Sequence, residues 1–286
     1  MKIGIGIPNS IPGAGGGLLL DWAHRAESLG FVSLATIGRV AYPSAEELVV
    51  LAAAAGATER IGLFTNVLLG PTREPALLAK QAATLDQLSG GRFLLGVGVG
   101  GRPDDFETTG TGLHDRGRRW DRALDLMHRA WRGEPVDGSP KPISPRPANG
   151  DRVPLMMGGG SDAAIRRTVE WGVGWTAGGG GVDLARGMFE KVRAAWERAG
   201  KPGRPELRAL TYFALGPDAD RGGDYLQDYY GELGAQIWPR VPRNLEAVRA
   251  TRAAFEEIGT DVLTFSPTIA SLDQVDLLAE AVLEPA

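Results

Sequence analysis

The sequence predicts an α/β protein: a single (β/α)8 TIM barrel over residues 1–286, with loop insertions at the C-terminal face of the strands. Three observations predict it. Strand-like runs alternate with apolar runs at helical spacing eight times, whereas a doubly wound sheet usually stops at about five to seven strands. The eighth pair reaches the end of the sequence. Finally, FLLGVGVGG carries the GxGxxG spacing at Gly96, Gly98 and Gly101, but Arg102, Pro103 and two aspartates follow, and apolar helical periodicity resumes only near Asp115. A dinucleotide turn needs a helix opening on its last glycine, so this spacing reads as a barrel strand and its loop.

Each element has a local reason. KIGIGIP alternates Ile3, Ile5 and Ile7 with glycines, and Leu19, Trp22, Ala23, Ala26 and Leu29 then recur at helical spacing up to Gly30. FVSLATIG is the second strand, and Ser44 with Glu47 predicts a capping box for the helix through LVVLAAAAGA. IGLFTNVLL is the third strand; Pro75 opens a helix that carries Leu78, Ala82, Leu85 and Leu88 and stops at SGG. FLLGVGVG is the fourth, with Trp120, Leu124, Met127 and Trp131 on its helix after a polar loop. The Pro-rich stretch from Gly133 to Val153 reads as a domain boundary or as a long connecting loop. VPLMMGGG precedes the helix from Ser161 to Trp171, and GVGWTAG, whose Trp175 is expected to pack against a helix, precedes the helix around Met188, Val192 and Trp196. LRALTYFALG is followed by an irregular stretch and a helix bearing Leu245, Val248, Phe255 and Ile258. DVLTFSP is the last strand, and Ser271 with Gln274 predicts a second capping box.

Composition narrows the chemistry. Apolar residues make up 43% and charged ones 23%, with a net charge of −4 and no basic stripe, which argues against a nucleic-acid partner. The absence of cysteine removes disulfides and thiolate chemistry and suits a cytoplasmic location. Met1 to Pro8 reads as a strand rather than a signal peptide, and LVVLAAAAGA is about half a membrane span, so no membrane partner is expected.

Barrel chemistry sits on the loops after the strands. No lysine falls at a strand end, so Schiff-base catalysis is not expected. His24 and His128 lie inside helices; His114 with Asp104, Asp105 and Glu107 reads as solvated loop charge rather than a metal site. With few acid, base or nucleophilic groups, the mouth suits a reaction whose hard step belongs to a bound cofactor. In GGGSDAAIRR, Gly158, Gly159 and Gly160 end a strand, and Ser161 caps a helix whose free N–H groups form either a phosphate site or a plain capped turn. Gly98 and Gly100, at the end of the fourth strand, would let a flat ligand approach the backbone. Thr36 would bond a ring or its own backbone, and Arg39 would pair an anionic cofactor tail, a substrate or a rim carboxylate. Thr176 ends the sixth strand at the same mouth. Gly216 to Arg243 holds Tyr225, Tyr229, Tyr230 and Trp238, which suits a substrate lid, a homodimer contact or helix packing.

TNVLLGPTREPALLAKQAATLDQLSGGRFLLGVGVGGRPDDFETTG, followed by RGRRWDRALDLMHRAW, resembles the luciferase-like flavin and deazaflavin oxidoreductases, (β/α)8 barrels that use FMN or coenzyme F420. The resemblance runs from Lys2 to the final helix. VPLMMGGGSDAAIRRTVEWGVGW looks like that family's phosphate segment, which strengthens the phosphate reading of Gly159, Gly160 and Ser161. The resemblance also implies a bulge late in the third strand, often with a non-proline cis peptide supporting the cofactor ring; the matching bond is Asn66 to Val67. Two departures limit it. Sugar-phosphate dehydrogenases of the family carry an Asp-His pair and a Glu where this sequence has Gly38, Arg39 and Gly101, and the luciferases' histidine near the second strand is absent. Sugar-phosphate oxidation and light emission are therefore not expected.

GRVAYP, the TNVLLGPTREP bulge and an Ala-, Gly- and Arg-rich composition resemble the F420-using branch. The expectation is an F420-dependent hydride transfer to or from a small-molecule substrate. The alternatives are a reduced-FMN monooxygenase and a cofactor-binding barrel without turnover.

Overall fold

The structure is a computed structural model that describes residues 1–283 apart from 137 and 144. Its strands are β1 (Lys2–Gly6), β2 (Ser33–Thr36), β3 (Gly62–Thr65), β4 (Leu68–Leu69), β5 (Phe93–Gly98), β6 (Leu155–Gly158), β7 (Gly174–Ala177), β8 (Glu206–Phe213) and β9 (Val262–Pro267). All pair in parallel. β1 pairs with both β2 and β9, and β5 pairs with β3, β4 and β6, so the sheet closes on itself. β3 and β4 are one stave interrupted at Asn66–Val67, whose peptide bond is cis. Nine segments thus make the eight staves of the expected barrel.

The outer ring is built from α1 (Gly16–Leu29), α2 (Glu47–Ala57), α3 (Pro75–Leu88), α5 (Arg116–Trp131), α6 (Asp162–Trp171), α7 (Val182–Arg198), α10 (Leu245–Glu257) and α11 (Asp273–Val282), while α4 (Pro103–Thr108), α8 (Gly222–Tyr230) and α9 (Glu232–Ile237) lie in the loops after β5 and β8. Strand alternation sends Ile3, Ile5, Leu34, Leu63 and Leu95 into the core shared with the helices. Ala35, Phe64 and Met156 form a separate cluster inside the barrel. Trp175 packs edge-on against Phe189 of α7, as its place in the sequence predicts. The Gly133–Val153 connection is a tethered loop: the buried Asp86 carboxylate accepts from the Ala148 N–H and the Asn149 side chain. Among the described residues, no helix is long and apolar enough to cross a membrane.

Four local expectations give way. The cap of α2 is Glu46, which accepts from Val49 N–H; Glu47 is buried and pairs with Arg73 instead of closing a box with Ser44. Gln274 does not box α11 either: its side chain exchanges two hydrogen bonds with the backbone of Leu215, joining α11 to the end of β8. A short helix, α4, begins two residues after Gly101, too short to show apolar periodicity. The stretch expected to be irregular after β8 folds as α8 and α9, because its tyrosines supply a buried face.

Candidate functional site

The interruption of the third stave organises the mouth. Asn66 N–H still donates to Thr36 O at 2.8 Å, and Thr65 Oγ1 donates to Gly96 O at 2.7 Å, so the chain keeps both neighbours up to the interruption, while β4 beyond it pairs with β5. Thr176 Oγ1 donates to Asn66 Oδ1 at 3.0 Å, while Asn66 Nδ2 is buried without a partner. A buried amide donor left unpaired costs free energy comparable to a lost hydrogen bond, so it marks a place for an acceptor. Val67 lies across the sheet top: a Cβ on Gly98 would stand 2.9 Å from one Val67 methyl, and one on Gly158 would stand 3.2 Å from the other. These two glycines therefore make room for the valine, not for a ligand against the backbone.

Gly100 also departs from the expectation. Its φ of +68° makes the turn, and Leu69 and Phe106 already occupy the position beside its Cα. Thr36 is wholly buried, and alternation sets it with Leu34 on the helix side, while Ala35 and Ile37 face inward. Its hydroxyl is unpartnered but turned from the mouth.

Gly158, Gly159, Gly160 and Ser161 leave the barrel at the mouth, and the last three are exposed. Ser161 Oγ accepts from Ala164 N–H at 3.2 Å, and Trp175 Nε1 donates to Gly159 O at 2.9 Å, which holds the loop open and in place. Gly160 has no heavy atom within 4 Å of where a Cβ would stand. A cavity of 520 Å³ lies further round, after β7 and beside β8, between Gly179, Gly181, Tyr212, Arg240 and Phe255. A second cavity, at the N-terminal end of the strands, is lined by Lys2, Ser33, Arg92 and Arg208, at the face where such barrels place stability rather than chemistry.

An aromatic cap covers the β1, β2 and β8 side of the mouth. Tyr225 shares a hydrogen bond with Ser10 Oγ at 2.7 Å, Tyr212 with Tyr230 at 2.6 Å, and Tyr229 O–H donates to Gly38 O at 3.4 Å. Burial pushes the Tyr212, Tyr225 and Tyr229 hydroxyls well above the usual phenol range, so they hold their protons. Arg39 is committed to the rim: it pairs with Asp104, lies 3.7 Å from Asp105, and stacks on Tyr42 and Tyr229. Asp105 is not solvated loop charge; it is fully buried and accepts from Val40 and Ala41 N–H at 2.8 Å each. Glu47, read from the sequence only as a capping residue, sits behind the bulge. A Cβ on Gly38 would meet its carboxylate at 2.3 Å and Val67 O at 3.3 Å, and burial pushes its carboxyl up against the opposing pull of Arg73. Its only sequence signal was one acid at the head of an otherwise apolar helix.

The donor set fits a flat, phosphorylated cofactor. Val67 offers an apolar shelf, Asn66 an orphaned buried donor beside it, and Ser161 an exposed hydroxyl at the start of a ten-residue helix. Among the described residues no three His, Asp or Glu side chains gather as a metal site.

A sequence model described as luciferase-like monooxygenase matches residues 1–278. An uncharacterized protein of Mycobacterium tuberculosis is 32% identical over 218 residues, covering 66% of this chain and 75% of that protein. An F420-dependent secondary alcohol dehydrogenase in complex with an F420-acetone adduct superposes with a TM-score of 0.80 at 19% identity, covering 98% of each chain. The oxygenating constituent of 3,6-diketocamphane monooxygenase of Pseudomonas putida, solved with FMN, superposes with a TM-score of 0.71 at 18% identity, covering 98% of this chain and 96% of that one.

Proposed function

Because the chain belongs to the luciferase-like monooxygenase family, we propose that it is an oxidoreductase that exchanges a hydride between coenzyme F420 and a small organic substrate. The observation that carries this reading is the unpartnered Asn66 amide beside the Val67 shelf, an acceptor site at the top of the barrel with an apolar floor. Asn66, Val67 and Thr176 would meet the ring, and Gly159, Gly160 and Ser161 with the first N–H groups of α6 would hold the phosphate. Bound F420 supplies a two-electron carrier that reacts poorly with oxygen, whereas reduced FMN would supply oxygen insertion.

The chain's own work is then to orient and to exclude water. Tyr212 and Tyr230 keep their protons near neutral pH; one hydroxyl donates to the other, and the second is left to donate to a substrate oxygen without acting as a base. Both cofactors occur in barrels of this shape, so the preference for F420 rests on GRVAYP, the TNVLLGPTREP bulge and the composition.

Titration of the purified chain with F420 and with FMN, read by cofactor absorbance and fluorescence, tests the proposal. Saturable F420 binding that FMN does not displace is expected, with Asn66→Ala and Ser161→Ala each weakening it about tenfold, the equivalent of about 1.4 kcal/mol. FMN binding without F420 binding would replace the reading with a monooxygenase; binding of F420 with no reduction across candidate alcohols, aldehydes and enones would leave a non-catalytic barrel.

A further inference from the structure

We propose that Arg102 recognises a carboxylate, and that the substrate of this barrel is a small carboxylate with a flat, apolar body. The word substrate rests on the oxidoreductase reading above; the anion site does not. Two arginines lie over the tyrosines of the aromatic cap, and they differ. Arg39 is neutralised by Asp104 and Asp105 and is only 10% exposed. Arg102 has no carboxylate within ion-pair distance among the described residues, although its guanidinium is stacked at 4.8 Å over Tyr229 and at 5.1 Å over Tyr230.

One of its nitrogens, Nη1, donates to Tyr229 O. The others make no hydrogen bond and do not appear among the buried unpartnered atoms, so they reach solvent. Two aromatic faces and one carbonyl fix the plane of the fork, and a fixed, uncompensated fork is suited to two parallel bonds to a carboxylate. The approach is open, since Arg102 is only half-buried. Beside it, the half-buried ring of Tyr230 supplies a flat apolar face, and its hydroxyl shares a hydrogen bond with Tyr212. The chemistry recognised is thus negative charge at one end and a planar apolar body at the other.

The anionic tail of a deazaflavin cofactor offers the same charge, so the test has two arms. In the first, benzoate and its neutral isostere benzamide are titrated into the full chain, with and without F420, by calorimetry and tyrosine fluorescence. Benzoate is expected to bind at least about tenfold more tightly than benzamide, more weakly at high salt, and Arg102→Gln is expected to erase the difference while the chain stays folded by circular dichroism. Arg102→Lys, which keeps charge but not the planar fork, should retain part of it. Equal affinity for the two probes, or an undiminished preference in Arg102→Gln, overturns the proposal. In the second arm, F420 is compared with its tail-free deazaflavin. If Arg102→Gln weakens F420 but not the tail-free form, the anion is the cofactor's and the substrate assignment falls. Absence of any F420 binding would sink the F420 hydride-transfer reading and leave the benzoate result to stand by itself.

Discussion

Val67 occupies the space that side chains at positions 98 and 158 would need, which explains both glycines without a ligand. A methyl at position 98 would stand 2.9 Å from a Val67 methyl, closer than side-chain carbons settle, so Gly98→Ala should cost about 1–3 kcal/mol by overpacking. In the Val67→Ala background the same change should be milder, with a coupling above about 0.5 kcal/mol in urea titrations. Strict additivity would mean that the two residues do not touch. Position 98 was visible in the sequence as a glycine at a strand end; that its missing side chain belongs to Val67 was not, because the two meet only when β4 is laid beside β5. Thr36 teaches the reverse, since its period-two relation to Leu34 already set it on the helix side.

The loop elements are held by polar groups that no periodicity marks. Asp105, in the first turn of α4, accepts from two backbone N–H groups of the segment after β2, 64 and 65 residues away. Asp105→Ala would strand those donors, at about 1–3 kcal/mol for each that water cannot reach. Hydrogen exchange at Val40 and Ala41 is expected to accelerate while the β-strand amides stay protected; unchanged exchange there would show that the carboxylate does not hold the segment. Ser161, by contrast, was legible: a serine followed by an apolar helical pattern caps it, and its side chain does so. The two capping boxes failed for one reason. Glu47 and Gln274 met stronger long-range partners, Arg73 and the Leu215 backbone, than their own helix termini could offer.

At the scale of the whole molecule, helices α5 and α6 meet around His128, which stacks against Trp131 and Trp171 and bonds Leu124 O through Nδ1. Burial pulls its pKa below the ordinary 6.5, with Leu124 O opposing. The folded state therefore favours neutral imidazole, and the unfolded chain binds more protons as pH drops below about 6.5. Stability from this site is present above that pH and lost on acidification. Burial raises the Glu47 and Asp86 pKa values and so works in the opposite sense, but those groups are shared with a His128→Phe variant. The difference in melting temperature between the two proteins should thus move in the variant's favour between about pH 7.5 and pH 5.5. A constant difference would mean that His128 titrates alike in both states.

By itself the sequence determined the eightfold alternation, the strand ends that form the mouth, and the start of α6 at Ser161. Those follow from apolar periodicity and capping, which act over a few neighbouring residues. The tertiary structure decided which groups occupy that mouth: the tyrosine cap seated on Ser10 and Gly38, Arg39 consumed by the rim while Arg102 stays uncompensated, and Glu47 lodged behind the bulge. Each of these joins residues far apart along the chain, and barrel closure with its strand register, rather than local spacing, brings them within reach.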